Sequence, residues 1–302
     1  MRRLSVLLCA ILAASAVPAA AAPAAQGATM PVVDHYQVVY SPAAAAFLSS
    51  AATDLRPDLR PVLRPVLARD EEYAEQIREY ARVRAENDWA ARQAAEFPER
   101  LVALCSVDPL RAYALAELAR CAASPGFGRG IRLQPAAGAI VLDDPDEVER
   151  VRRVFRSANA RGMAIVLQLQ ETGVREARLL LEQLLPHAPD VQVQVAYSGG
   201  REASPQLAAL AVLADAAARQ DPRMRHVWVD VTAFARPGLT AADARRLVRR
   251  LRQVGMERVL YGSDTEIGMD VRPREAWAAF RSLPLTDAEA ARVANNVMSY
   301  LR

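Results

Sequence analysis

Arg258-Val259-Leu260-Tyr261 reads as a short buried strand, and Gly262-Ser263-Asp264 follows it at once. A carboxylate placed where a buried strand gives way to a loop is well suited to hold a metal ion or a proton. Asp264 is therefore the first candidate catalytic residue. The competing reading is a structural carboxylate that accepts backbone N–H groups at the loop start. Glu266, two residues on, offers a partner for acid–base work. Imidazoles are scarce: the chain has three histidines, His35, His187 and His226, far apart in sequence. Asp230, inside "HVWVDVTAF", is a second acid in an apolar run, and a buried charge there calls for a partner such as Arg132. Ser198 before Gly199-Gly200 is read as a turn, and no Ser/His/Asp or Cys/His arrangement stands out.

The elements that must position these groups alternate along the chain. Short apolar runs occur at 30–39, 100–107, 129–135, 163–170, 191–198, 226–234 and 258–264. Helical stretches with apolar residues at i, i+3 and i+4 lie between them, as in "DPDEVERVRRVFRSANARG" with acids at its start and glycine at its stop. Strand–helix alternation in units of about 30 residues predicts parallel β/α packing. The near-continuous apolar runs fit a sheet covered on both faces. Seven or eight such units predict an α/β fold of the TIM-type (β/α)8 barrel kind. No G-x-G-x-x-G follows any of the runs, which counts against a dinucleotide-binding sheet. The second unit is irregular. Its one candidate strand, "LRPDLRPVLRPVLARD", carries Pro57, Pro61 and Pro65, and proline cannot donate a ladder hydrogen bond. An incomplete second β/α unit is expected there, followed by a long charged helix reaching to about Phe97.

Composition bounds the rest. Residues 1–28 have two arginines, a short apolar run and a small-residue region with A-x-A sites, the pattern of a secretory signal peptide. The apolar run is too short for a membrane anchor. Residues 29–302 are expected to form one domain exported to the periplasm or beyond, with no stable membrane insertion. All 38 basic side chains are arginine, alternating with acids along helical faces, so the small net charge of +3 does not predict nucleic-acid binding. Beyond the signal, Cys105 and Cys121 remain. An oxidising compartment permits a disulfide, but each sits on an apolar face and is first read as a small buried residue.

Three stretches carry a resemblance: "YARVRAENDWAARQAAEFPERLVALCSVDPLRAYALAELARC", "RVLYGSDTEIG" and "LPLTDAEAARVANNVMSYLR". They resemble the amidohydrolase-2 family of TIM barrels, which includes metal-dependent hydrolases and aromatic-acid decarboxylases. The likeness spans about Pro31 to Arg302. The resemblance implies a divalent metal, commonly zinc, held by an H-x-H pair ending the first strand and by histidines ending the fifth and sixth, with an aspartate ending the eighth. Matched position by position, the H-x-H pair falls on Tyr36 and Val38, the fifth-strand histidine on Gln168, and the sixth-strand histidine on Tyr197. Gln134 ends the fourth strand, and Asp264 matches the aspartate. Tyr36, Gln134, Gln168, Tyr197 and Asp230 are thus expected to line a substrate pocket, with the metal site not preserved and no cofactor assigned. His35 neighbours a ligand position but should point away from the mouth, because successive strand residues face opposite ways.

Two functions follow from this reading. The first is an exported hydrolase of C–N or C–O bonds, or a decarboxylase, acting on small molecules without the usual metal. The alternative is a catalytically inactive pseudoenzyme that binds a small molecule or a protein partner at the old mouth. Homo-oligomerisation is left open.

Overall fold

The computed structural model describes residues 30–35, 41–42, 69–133, 144–169, 173–197, 203–231, 239–263 and 273–301. Six strands form one parallel sheet in chain order. They are β1 (Cys105–Val107), β2 (Gly130–Leu133), β3 (Ala164–Leu169), β4 (Val193–Tyr197), β5 (Val227–Asp230) and β6 (Val259–Leu260). The helices are α1 (Arg69–Glu96), α2 (Ala114–Ala123), α3 (Pro145–Ala160), α4 (Gly173–Leu179), α5 (Ala203–Ala218), α6 (Ala241–Val254), α7 (Pro273–Arg281) and α8 (Asp287–Asn295). The last six of the expected apolar runs all contain a strand. Of the first run, residues 30–35 are described. They pass the end of β6 and reach α8, with the His35 N–H donating to the Tyr261 carbonyl (2.9 Å) and the Val32 N–H to the Ala294 carbonyl (2.8 Å). The proline-rich candidate for the second unit lies outside the described residues except for its last two, Arg69 and Asp70, which open α1.

Local chemistry explains the helix boundaries. Asp144 caps α3, its carboxylate accepting from the Asp146 and Glu147 N–H groups, and Pro145 fills the first helical position where no donor is needed. Val148, Val151, Val154, Phe155 and Ala158 form the buried face of α3. Beyond the helix, Gly162 takes φ +63°, a conformation that costs glycine little. Thr286 and Glu289 form a reciprocal capping box at α8.

Two faces of the sheet bury different things. Ile131, Leu133, Ile165, Leu167, Val193, Val195, Val227, Val229 and Val259 turn outward into a large apolar layer shared with the helices. The opposite parity (Ala164, Val166, Ala196 and Leu260) packs with Met298 and Tyr300 into a smaller inner cluster. An outer helical layer, strands in sequential parallel order and an inner face filled by side chains make a TIM-type barrel. The C-terminal turn Ser299–Leu301 contributes to that filling.

Cys105 and Cys121 are joined by a disulfide between β1 and α2, with Cα atoms 6.2 Å apart. The expectation of two separate buried thiols gives way here, although both residues are buried as expected. Their spacing lies within the usual reach of the bond. The apolar faces seen in the sequence are the two surfaces that the bond connects.

Candidate functional site

Side chains of the inner parity are also the ones that carry chemistry. Register places Ser106, Arg132, Val166, Gln194 and Trp228 side by side across β1 to β5. Gln168 and Asp230 stand two residues further along their strands, nearer the C-terminal ends where barrel enzymes keep their reactive groups. Two diagonal contacts follow. An Arg132 guanidinium nitrogen donates to Gln168 Oε1 at 2.8 Å. Gln194 Nε2 donates to Asp230 Oδ2 at 2.7 Å.

Gln194 is the hub of a buried polar group. It is fully buried, and Asp230 is 1% exposed. The second hydrogen of the Gln194 amide points to the His35 carbonyl (3.3 Å), and its Oε1 accepts from the Tyr300 hydroxyl (2.6 Å). Burial is the main cause that pushes the Tyr300 phenol well above its ordinary pKa, with the Asp230 charge adding to it. Tyr300 is therefore a neutral donor throughout the accessible pH range. Tyr261 is raised likewise, first by burial and then by Asp34 and Asp230.

His35 is buried and serves as a structural tie. Its Nδ1 donates to the Tyr261 carbonyl (3.0 Å), and its Nε2 accepts from the Met298 N–H (3.4 Å). A second ring proton would meet the Met298 donor head-on, so the neutral ring fits and the imidazolium does not. Burial lowers the His35 pKa, opposed by the Tyr261 carbonyl and Asp34. The sign follows from linkage. The unfolded ring takes up its proton near pH 6.5 and the folded ring only below that, so this contribution is complete above pH 6.5 and lost as pH falls. Urea titrations at pH 7.5 and 5.5 should show lower stability at 5.5 and a shallower loss in His35→Gln. His226, lowered by burial and then by Arg225, keeps a share of the slope in the variant. An unchanged slope would remove His35 as its source.

The expected site residues divide as follows. Gln168 and Asp230 are both on the inner face, and Arg132 contacts Gln168. An arginine such as Arg132 was suggested as a partner for Asp230, and Gln194, which was not foreseen, meets it at hydrogen-bond distance. Tyr197 pairs through its backbone with Leu169 at the end of β4. Asp264, Tyr36 and Gln134 lie outside the described residues, as do Val38, Glu266 and Ser198. His187 and His226 sit in 3-10 turns that precede β4 and β5, at the opposite end from the mouth, as expected.

Three participants were missed. Gln194 stands in the alternating "VQVQVAYS", where its inward parity was a usable signal. Tyr300 gave none, since nothing local says that a C-terminal tail turns into a barrel. Asp34 accepts the Ser263 N–H at 2.9 Å and so ties the N-terminal segment to the residue before Asp264.

Among the described residues, one group of potential metal ligands converges: Cys105, Glu117 and Cys121, within 4.8 Å of one another. The disulfide occupies both sulfurs, so the group is not a metal centre in this state. A groove of about 610 Å³ lined by Arg245, Val248, Arg249, Arg252, Gln253 and Pro284 lies outside the barrel against α6, away from the strand ends.

Comparison with known proteins places this geometry. Among solved structures, a dihydroxybenzoic acid decarboxylase from a Polaromonas species, with bound manganese and an inhibitor, is 15% identical. It covers 84% of this chain and 92% of its own, with TM-score 0.54. The 5-carboxyvanillate decarboxylase of Novosphingobium aromaticivorans is 16% identical over 78% and 73% of the two chains, TM-score 0.52. A 2,6-dihydroxybenzoate decarboxylase complexed with 2,6-dihydroxybenzoate is 15% identical over 73% and 76%, TM-score 0.53. At such identities the likeness speaks for the fold alone. No curated protein matches the sequence. No helix among the described residues is long and apolar enough to cross a membrane. The amidohydrolase family model matches residues 20–296, nearly the whole sequence, and the chain accordingly belongs to the amidohydrolase-2 family.

Proposed function

We propose that this protein is an exported member of its family that takes a small molecule at the strand-end mouth. It acts there as a hydrolase of C–N or C–O bonds or as a decarboxylase, without the imidazole-held metal of the family's usual site. The Arg132–Gln168 contact carries this reading. By resemblance, Gln168 stands where a metal-binding imidazole is expected. Its carboxamide oxygen instead accepts from a guanidinium at 2.8 Å. A divalent cation on that oxygen would lie beside a fixed positive charge, and carboxamides are weak ligands for zinc. This donor set does not fit a zinc ion, and no step is derived through one. It does fit an anionic group of a small molecule, since a guanidinium can hold a carboxylate through two parallel hydrogen bonds. Carboxylates are also the compounds in the names of the three decarboxylases of similar fold.

Export rests on residues 1–28, and the Cys105–Cys121 bond is consistent with an oxidising destination. A second reading, binding without turnover, is favoured by the residues at the four ligand positions, Tyr36, Val38, Gln168 and Tyr197.

Elemental analysis of the purified protein, followed by binding and turnover assays with small aromatic carboxylates, esters and lactones, tests the proposal. Binding that weakens on Arg132→Ala, with turnover abolished by Asp264→Ala and no stoichiometric metal, is the expected result. One tightly held divalent ion per chain would overturn the metal-free part. Binding without turnover would move the conclusion to the second reading.

A further inference from the structure

We infer that the Cys105–Cys121 disulfide is a shielded covalent clasp on the edge of the sheet, set once by oxidation of the two thiols, that fixes the junction of α1, β1 and α2. β1 is the first strand in the sheet order, and β2 is its one strand neighbour among the described residues. On its other side a side chain does a strand's work. Asn87 of α1 donates from Nδ2 to the Ser106 carbonyl (3.1 Å) and accepts the Ser106 N–H on Oδ1 (2.9 Å). Both ladder groups of the central β1 residue are thus met by one amide, which covers an edge that would otherwise be open to another strand.

That amide is itself held from α2. The second Asn87 hydrogen goes to Glu117 Oε1 at 2.7 Å. Glu117 is fully buried, and Arg120 neutralises it through two contacts of 2.8 and 2.6 Å. Arg120 also reaches Asp88 of α1 at 2.6 Å. Burial raises the Glu117 pKa, but the hydrogen bonds from Arg120 and Asn87 outweigh it, so the group stays a carboxylate. One turn on, Cys121 ties the same helix covalently to β1. The disulfide, the Asn87 amide and the Glu117 carboxylate are therefore one device that fixes where α2 sits on the edge strand.

The chemistry makes the device two-state. Two thiols give up two protons and two electrons to a disulfide-bearing oxidant, by attack of one thiolate and then displacement of the oxidant's thiol by the other. The reverse step needs a dithiol reductant. Cys105 and Cys121 are 0% and 1% exposed, so a reductant cannot reach the closed bond without α2 leaving β1. In the reduced chain, Glu117 Oε1, 3.7 Å from the Cys121 sulfur, favours the protonated thiol over the nucleophilic thiolate. The closed state is shielded, and the open state is slow to exchange.

The test uses the full-length protein. Alkylation under denaturing conditions should find no free thiol at Cys105 or Cys121, and a neutral dithiol should leave the bond intact until urea is added. Protein reduced in this way and returned to buffer should melt lower by roughly 5–10 °C, given the 16-residue separation. Amide hydrogen exchange should rise in β1, α2 and the half of α1 that carries Asn87, and stay unchanged in β4 and β5. The double variant Cys105→Ser/Cys121→Ser should copy the reduced exchange pattern without any reductant. Free thiols in the native protein, prompt reduction without urea, or a uniform rise in exchange would each overturn the inference.

Discussion

Gln194→Leu is expected to destabilise the protein by about 2–3 kcal/mol in urea titration, with an unchanged slope against denaturant. Leucine nearly matches glutamine in size, so little cavity is created. The cost comes from the hydrogen bonds that are lost. The Asp230 carboxylate, 1% exposed, loses its 2.7 Å donor, and the Tyr300 hydroxyl loses its 2.6 Å acceptor. A lost hydrogen bond in a buried site costs more than the bond was worth on balance, because the groups that made it cannot turn to water instead. Tyr300→Phe deletes a donor instead of the hub and should cost nearer about 1 kcal/mol. A loss below about 1 kcal/mol in Gln194→Leu would mean that Asp230 is satisfied without Gln194, and the network would lose its claim to organise the inner face.

Phe155→Ala should cost about 3–5 kcal/mol by a separate mechanism. Phe155 is fully buried on α3, in the outer apolar layer against the strands. Truncation removes the ring from that layer and leaves a void that neighbours fill only in part. Phe155→Leu should cost about 1–1.5 kcal/mol, since most of the volume is kept. Thermal melts of the three proteins at one pH give the comparison. Equal melting temperatures for Phe155→Ala and the parent would show that α3 is not docked as described.

The strands, their order and the helical faces were legible because buried parallel strands leave continuous apolar runs and amphipathic helices leave their own spacing. The α3 boundaries could be read from Asp144-Pro145 at one end and Gly162 at the other. The site was only partly legible. Gln168 and Asp230 could be placed on the inner face by parity alone. Their partners could not, because Arg132 meets Gln168 and Gln194 meets Asp230 through the stagger between neighbouring strands, which no single strand encodes. The disulfide escaped for a related reason. An apolar face tells that a cysteine is buried, but not which surface it meets.

Tyr300 stands in the turn beyond α8, yet its hydroxyl completes the hydrogen bonding of Gln194 in the barrel interior, and Met298 packs beside it. Gln194 in β4 is thus sealed by a residue 106 positions further along the chain. The inner face is closed by a long-range contact and not by neighbouring strands alone, the kind of contact that forms late because it closes the longest loop. A bulky tag fused after Arg302 would follow that plug by only two residues.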